Sequence, residues 1–296
     1  MRKGLLTILM LTLSVILAAC GSSGDENNSE SSEDNNSSQE ASGEKWSEIK
    51  EEGKIVVGTA GTLFPASYYP EDSDELTGYD IEIMREVAKR LDLELSFKEY
   101  GVDALLSSIN SGRVDMVIND FQPTEDRKEK FAFSEPYKYS YSTMVVRESD
   151  LSGIETLEDL EGKVHGGGAT TVYSQIAEHF GAETKSYGNV ANDVYLRDVA
   201  NGRTDFIIND YYLQSLALKA LPEIEVQLHP DLQFHPTTSA IVMPKDAQTL
   251  KEKVDATLQE MREDGTLTEI SKEFFGGKDA SKKPDKDVRE LEDIDL

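Results

Sequence analysis

The sequence has almost no cysteine, one residue in 296, so no intramolecular disulfide and no dithiol redox chemistry can be built from it. It has no apolar run long enough to cross a bilayer as a helix, which takes about 20 residues; the longest, Leu5 to Ala18, is 14. Basic residues are also in short supply, with 30 Lys and Arg against 57 Asp and Glu, for a net charge of −27. Duplex binding needs clustered cations to displace counterions, so nucleic acid is excluded as a partner. The four histidines (His165, His179, His229, His235) show no metal-ligand spacing, and Gly166-Gly-Gly168 lacks the Gly-Lys-Ser/Thr of a phosphate loop. No cofactor and no metal is expected.

The N-terminus sets the compartment. Arg2 and Lys3 precede the short apolar run, as in a secretory signal, and the small Ala18 and Ala19 lead into the lone cysteine. An uncleaved anchor or a core cysteine is the alternative, but Leu17-Ala18-Ala19-Cys20-Gly21 resembles a bacterial lipobox. That resemblance implies a signal peptide over 1–19, cleavage before Cys20, a lipid on its sulfur, and residence on the outer face of the cell membrane of a Gram-positive-type bacterium. Residues 20–45 are Ser, Asn, Gly and acids without apolar periodicity and read as a disordered tether. A Gly/Ser-like coil of about 25 residues reaches roughly 25 to 30 Å. The segment 277–296 is likewise charged and poorly patterned and reads as a tail.

Between these ends, strand-like and helix-like segments alternate. Lys54 to Thr59 is β-rich; Asp80 to Leu91 places Ile81, Met84, Val87, Ala88 and Leu91 at helical spacing; Leu93, Leu95 and Phe97 alternate. Val102 to Asn110 reads as a helix stopped by Gly112, and Val114 to Ile118 as a buried strand. The pattern predicts an α/β fold with mainly parallel sheets. Ser111-Gly-Arg-Val-Asp-Met-Val-Ile-Asn-Asp120 recurs 90 residues later as Asn201-Gly-Arg-Thr-Asp-Phe-Ile-Ile-Asn-Asp210, which implies two similar lobes. Ligands of open α/β sheets sit at the carboxyl ends of strands, so both Asn-Asp pairs are candidates for a shared cleft. The competing reading is that they cap the segments that follow. Thr124 suits a helix N-cap with Arg127 one turn in, although EDRKEK taken alone also reads as a solvated helical face.

The motifs Leu76-Thr-Gly-Tyr-Asp-Ile81, Arg113 to Asn119, Thr124-Glu-Asp-Arg-Lys128, Phe133-Ser-Glu-Pro-Tyr137, Glu263-Asp-Gly-Thr-Leu267 and Phe274-Phe-Gly276 occur in the order seen in family-3 solute-binding proteins of polar amino acid ABC importers. From Gly53 to about Gly276 the chain resembles that family, with its first half nearest to cystine-binding members. The resemblance implies a two-lobe periplasmic-binding-protein-like fold (type II) with two hinge crossovers, near Tyr137 to Tyr141 and His235 to Ser239. Lobe 1 is expected over 46–137 plus 238–276, and lobe 2 over 141–234.

It also implies a monomer that captures a free amino acid, polar or cystine-like, and presents it to ABC importer permease subunits. Arg127 would grip the α-carboxylate and Asp210 the α-ammonium, with Asp120 and Gln122 offering backbone groups and Thr170 and Thr171 opening the carboxylate-binding helix of lobe 2. Leu63 and Val102 stand where relatives place aromatics and Ala60 where they place a polar residue, so Phe64, Tyr68 or Tyr100 would have to supply any flat wall. Arg127 and Asp210 are both expected to face solvent. Rival readings are a cyclohexadienyl-type dehydratase, with Glu99 or Asp103 as its acid, and a surface sensor lipoprotein.

Overall fold

A computed structural model describes residues 34–291 and 294; the signal and lipobox readings, Cys20 included, lie outside them. The chain runs α1 (Asp34–Glu52), β1 (Lys54–Thr59), a small hairpin β2 (Thr62–Leu63) and β3 (Ser67–Tyr68), α2 (Tyr79–Arg90), β4 (Glu94–Glu99), α3 (Val102–Asn110), β5 (Met116–Val117), α4 (Glu125–Lys130) and β6 (Phe131–Phe133). After a long strand β7 (Lys138–Arg147) come β8 (Val164–Gly167), α5 (Val172–His179), β9 (Glu183–Ser186), α6 (Asn192–Ala200), β10 (Phe206–Asp210) and α7 (Tyr211–Ala220). The chain returns through β11 (Val226–Ser239) to β12 (Val242–Pro244), α8 (Gln248–Glu263) and α9 (Thr266–Phe274).

Two five-stranded sheets result, ordered β4-β1-β5-β12-β6 and β11-β7-β10-β8-β9. Each has one strand, β12 or β7, antiparallel to its neighbours, while β1 runs parallel to β4 and β5, and β8 to β9 and β10. The expected α/β, mainly parallel architecture is therefore found, with apolar clusters on both faces of each sheet: Val57, Met84 and Leu258 on one side of the first and Leu105, Val114 and Phe133 on the other. The second sheet buries Ile176 and Phe206 on one face and Leu196 and Ile207 on the other. The lobes are joined where β7 and β11 pair from Lys138↔Ser239 to Tyr141↔Pro236.

The internal repeat has a structural basis. Gly112 and Gly202 both take positive φ to end their helices. Three residues on, Asp115 accepts from the Val56 N–H at 2.7 Å and Asp205 from the Val164 N–H at 2.9 Å. Each acid thus ties the start of its own strand to the neighbouring parallel strand, and the two lobes share one solution to the problem of entering a sheet.

Two stretches differ from expectation. Helix α1 begins at Asp34, inside the span read as coil over 20–45. Its C-terminal part is anchored, with Ile49 buried and Trp46 packed on the first core, and extending a helix from an anchored turn costs far less than nucleating one. The stretch from 277 is not a free tail over its described residues: the Ala280 carbonyl accepts from the Tyr139 N–H at 2.7 Å and the Arg289 carbonyl from the His235 N–H at 2.7 Å. Leu291 and Ile294 reach the second lobe's core. The physical reason is that β7 and β11 leave backbone groups unpaired at the hinge, and this segment satisfies them. A chain ending after Lys282 should melt roughly 2–6 °C lower, the cost of about 1–2 kcal/mol in a chain of this size; an unchanged melting temperature would show that the segment adds nothing.

Candidate functional site

The cleft lies between the carboxyl end of the first sheet and the glycine-rich start of α5. Beyond β5, Asn119 is buried and structural: its Oδ1 accepts from the Ala60 N–H at 2.9 Å, fastening the turn after β1 to the turn after β5. Asp120 adopts a left-handed conformation, φ 56°, which costs a non-glycine residue roughly 1–2 kcal/mol. Its N–H donates to Asp80 Oδ2 at 2.9 Å and to the Tyr137 hydroxyl at 3.2 Å, and these bonds hold the turn in place. Asp80 is delivered there by Gly78, whose φ of 127° and position against Ala66 leave no room for a side chain: a Cβ would lie 2.3 Å from the Ala66 carbonyl oxygen.

The turn aims the Asp120 carboxylate at the hinge. Lys138, fully buried at the head of β7, sits 2.7 Å from Asp120 of the first lobe and 2.8 Å from Asp210 of the second, and Ser239 donates to Asp120 as well. Burial works against the Lys138 charge, but Asp120 and Asp210 outweigh it and raise its pKa. Burial, reinforced by the Asp120 charge, pushes Asp80 up to about 8, and burial also raises Asp120 against the pull of Lys138. With Asp80 protonated near neutrality, the two carboxylates touching Lys138 outnumber it by one.

At the other end, Thr124 caps α4 by accepting from the Arg127 N–H at 3.3 Å, as expected from its position. The Arg127 guanidinium lies 5.2 Å over the Phe121 ring, donates to the Gln122 carbonyl at 2.9 Å and reaches across to the Thr170 carbonyl at 2.9 Å. Burial pulls its pKa below the usual arginine range. Thr171, not Thr170, is the N-cap of α5, accepting from Ser174 N–H at 3.2 Å, while Thr170 donates through its N–H and hydroxyl to Asp103 at 3.1 and 2.8 Å. Thr62 donates to Asn189 at 2.7 Å. These contacts span the two lobes, so the cleft is closed.

Among the expected site residues, Arg127, Asp120, Gln122, Thr171, Leu63 and Val102 line the enclosed space, along with Asn119 and Asn209. Three do not. Thr170 stands at the rim as a lobe-to-lobe contact. Phe64 turns its ring onto Tyr68, centroids 4.8 Å apart, and offers only its carbonyl, to Asn192. Asp210 is 1% exposed rather than solvated: one oxygen caps α7 by accepting from Leu213 N–H at 3.0 Å, the other holds Lys138. The capping reading therefore holds for Asp210 and not for Asp120, and an Asp210→Ala change would unsettle the fold along with the site.

The aromatic walls also come from elsewhere: Tyr173, Tyr187 and Tyr195 of the second lobe line the space, whereas Phe64, Tyr68 and Tyr100 do not. Tyr173 follows the α5 cap and lies deep, its hydroxyl pKa raised by burial and by the Asp210 and Asp120 charges. Lys138 was missed by sequence reasoning although one signal was present, a lysine set in the Tyr-rich crossover just after Ser-Glu-Pro-Tyr137. Asp80, which opens the helical spacing of Asp80 to Leu91 in the sequence, stands in the first turn of α2, and its contact with the Asp120 turn has no sequence signal.

Residues 55–277 match the family of bacterial extracellular solute-binding proteins, family 3. The chain belongs to that family. It is 52% identical over 253 residues to the probable ABC transporter extracellular-binding protein YckB of Bacillus subtilis, covering 85% of this chain and 87% of that one. A crystal structure of YckB, 54% identical, superposes with a TM-score of 0.67 over 83% of this chain and 99% of the other. The L-cystine-binding protein TcyA of the same organism is 34% identical over 282 residues, 95% of this chain and all of that one. The family is that of amino acid ABC transporter binding proteins, which places it outside the cytoplasm.

Removing the hinge lysine tests the buried cluster directly. Lys138→Met should destabilise the chain by about 3–5 kcal/mol, because two buried carboxylates lose their common partner; a loss below about 1 kcal/mol in urea denaturation would mean the ion pairs are solvated. Asp80 gives a pH signature. An acid whose folded pKa exceeds its unfolded value of 3.8 binds a proton on folding, so its favourable contribution is lost as pH climbs from about 4 to about 8. Over that window Asp80→Asn should show a shallower decline of stability than the parent chain; parallel profiles would show that Asp80 is ionised throughout.

Proposed function

We propose that this chain binds one free amino acid by its two head groups in the inter-lobe cleft and presents the closed complex to the permease subunits of an ABC importer. The observation that carries the reading is the placement of opposite charges on one enclosed space: Arg127 at the α5 end and the Asp120 carboxylate, backed by Asp210 and Lys138, at the hinge end. A zwitterion offers a carboxylate to the first and an ammonium to the second. Arg127 supplies planar, charge-assisted donors, and the first N–H groups of α5 behind its Thr171 cap add to the pull on an anion. Asp120 takes the ammonium on the side turned to the cleft, and Asp210 acts through Lys138.

Closure follows from the same geometry. Arg127 belongs to the first lobe and α5 to the second, so a carboxylate between them is held fully only when the lobes meet, and ligand binding is converted into a shape the importer can read. Family membership and the transport names of YckB and TcyA support this reading over an enzyme. Neither acid named for a dehydratase lines the cleft: Glu99 accepts from the Tyr69 hydroxyl and Asp103 from Thr170. The lipobox around Cys20 supports anchoring of a monomer to the outer face of the cell membrane, with the N-terminal segment as spacer.

Arg127→Ala should weaken amino acid binding by roughly 100-fold, the loss expected when two charge-assisted bonds disappear, with the far-ultraviolet circular dichroism unchanged. Titration calorimetry decides the matter: an affinity equal to that of the parent chain would end the head-group assignment.

A further inference from the structure

The lining of the cleft says more than where the head groups go. Arg127 and Asp120 are the two charged side chains lining it among the described residues, and both are committed to the amino acid's own carboxylate and ammonium. Beyond them no charged side chain lines the wall: Leu63 and Val102 of the first lobe and Val190 and Leu213 of the second supply apolar surface, and Asn119, Gln122, Asn209, Thr171 and Tyr173 add polar groups without charge. Three of the hydroxyls along this wall are spent elsewhere. The Tyr187 hydroxyl donates to Asp198 at 2.5 Å, and Asp198 is held in turn by Lys185 and Arg203 at 2.7 and 2.9 Å. The Tyr195 hydroxyl is bound to Asn192, and the Thr62 hydroxyl to Asn189. With their hydroxyls tied down, Tyr187 and Tyr195, centroids 5.7 Å apart, are left to offer ring surface.

A ligand side chain carrying a charge would give up its hydration here and find no counter-ion, whereas an apolar one loses only its contact with water. We infer that the ligand is an amino acid with an uncharged, largely apolar side chain of aliphatic, thioether or aromatic type. This rests on the head-group reading above and departs from the polar or cystine-like ligand that the resemblance implied, since cystine carries a second ammonium and carboxylate at its far end. Asp198, Lys185 and Arg203 do not supply the missing counter-ions: they satisfy one another behind the Tyr187 ring and do not line the cleft.

Pairs of ligands with matched shape and different charge separate the alternatives. Titration calorimetry of the full chain at pH 7 with L-norleucine against L-lysine, and L-methionine against L-glutamate, should give dissociation constants at least 100-fold lower for the uncharged member of each pair. L-Cystine should bind no better than L-lysine. If L-lysine, L-arginine, L-glutamate or L-cystine binds within tenfold of the best uncharged amino acid, the side-chain inference is overturned while the head-group reading stands. If no amino acid of either kind binds, the head-group reading falls and the inference falls with it.

Discussion

Two carboxylates from opposite lobes meet one ammonium on the strand that joins them, and the closed molecule depends on that meeting. Asp120 and Asp210 both lie within 3 Å of the Lys138 nitrogen. Without the lysine they would face each other across a dry hinge, and like charges in a medium of low polarizability repel by several kcal/mol at such separations. With it, closure brings attraction on both sides. The position of the cation matters as much as its sign: Lys138 opens β7, the strand that leaves the first lobe, so neither lobe has to carry the lysine towards the other.

The cost of this arrangement is borne by other residues. Asp120 occupies a left-handed turn, and Asp80 is buried beside it with one oxygen that has no hydrogen-bond partner among the described residues. Protonating Asp80 resolves the conflict, since a neutral acid can still accept the Asp120 N–H while adding no further negative charge. Gly78 makes the approach sterically possible. A strained turn, a glycine pressed against a carbonyl and a displaced pKa are three consequences of bringing the first lobe's acid to the hinge lysine.

Much of this was legible in the residues and some was not. Helix α3 was readable to the residue, β1 likewise, and α2 to within one position, because each carries its period or its stop within its own segment. The repeated Gly-Arg-X-Asp was readable as two lobes, and the structure supplies its cause in the Asp115 and Asp205 bonds to neighbouring strands. Arg127 and the α4 cap were visible because a cap is a local device. The roles of Asp120 and Asp210 were not, because the same Asn-Asp pair leads into a tight turn in one lobe and into a helix in the other. The tyrosines were also out of reach, since Tyr173 and Tyr195 stand on two helices and Tyr187 on the loop after β9, and they converge only through the packing of the second lobe. The hold of the C-terminal segment on β7 and β11 depends on unpaired strand edges, which composition does not report.

The divergence of the two Asn-Asp pairs is what makes the cleft polar at one end and apolar along the other. If both acids had capped helices, the first lobe would bring no carboxylate to the cleft, and Lys138 would be left with a single partner from the second lobe. The observed division keeps Asp210 behind the wall as cap and counter-ion and puts Asp120 on it, so the first lobe's acid is the one a ligand reaches. From that asymmetry the rest of the lining follows: with charge concentrated at Asp120 and Arg127, the remaining surface is free to be ring and aliphatic wall, and recognition of the side chain rests on shape and dryness rather than on ion pairing.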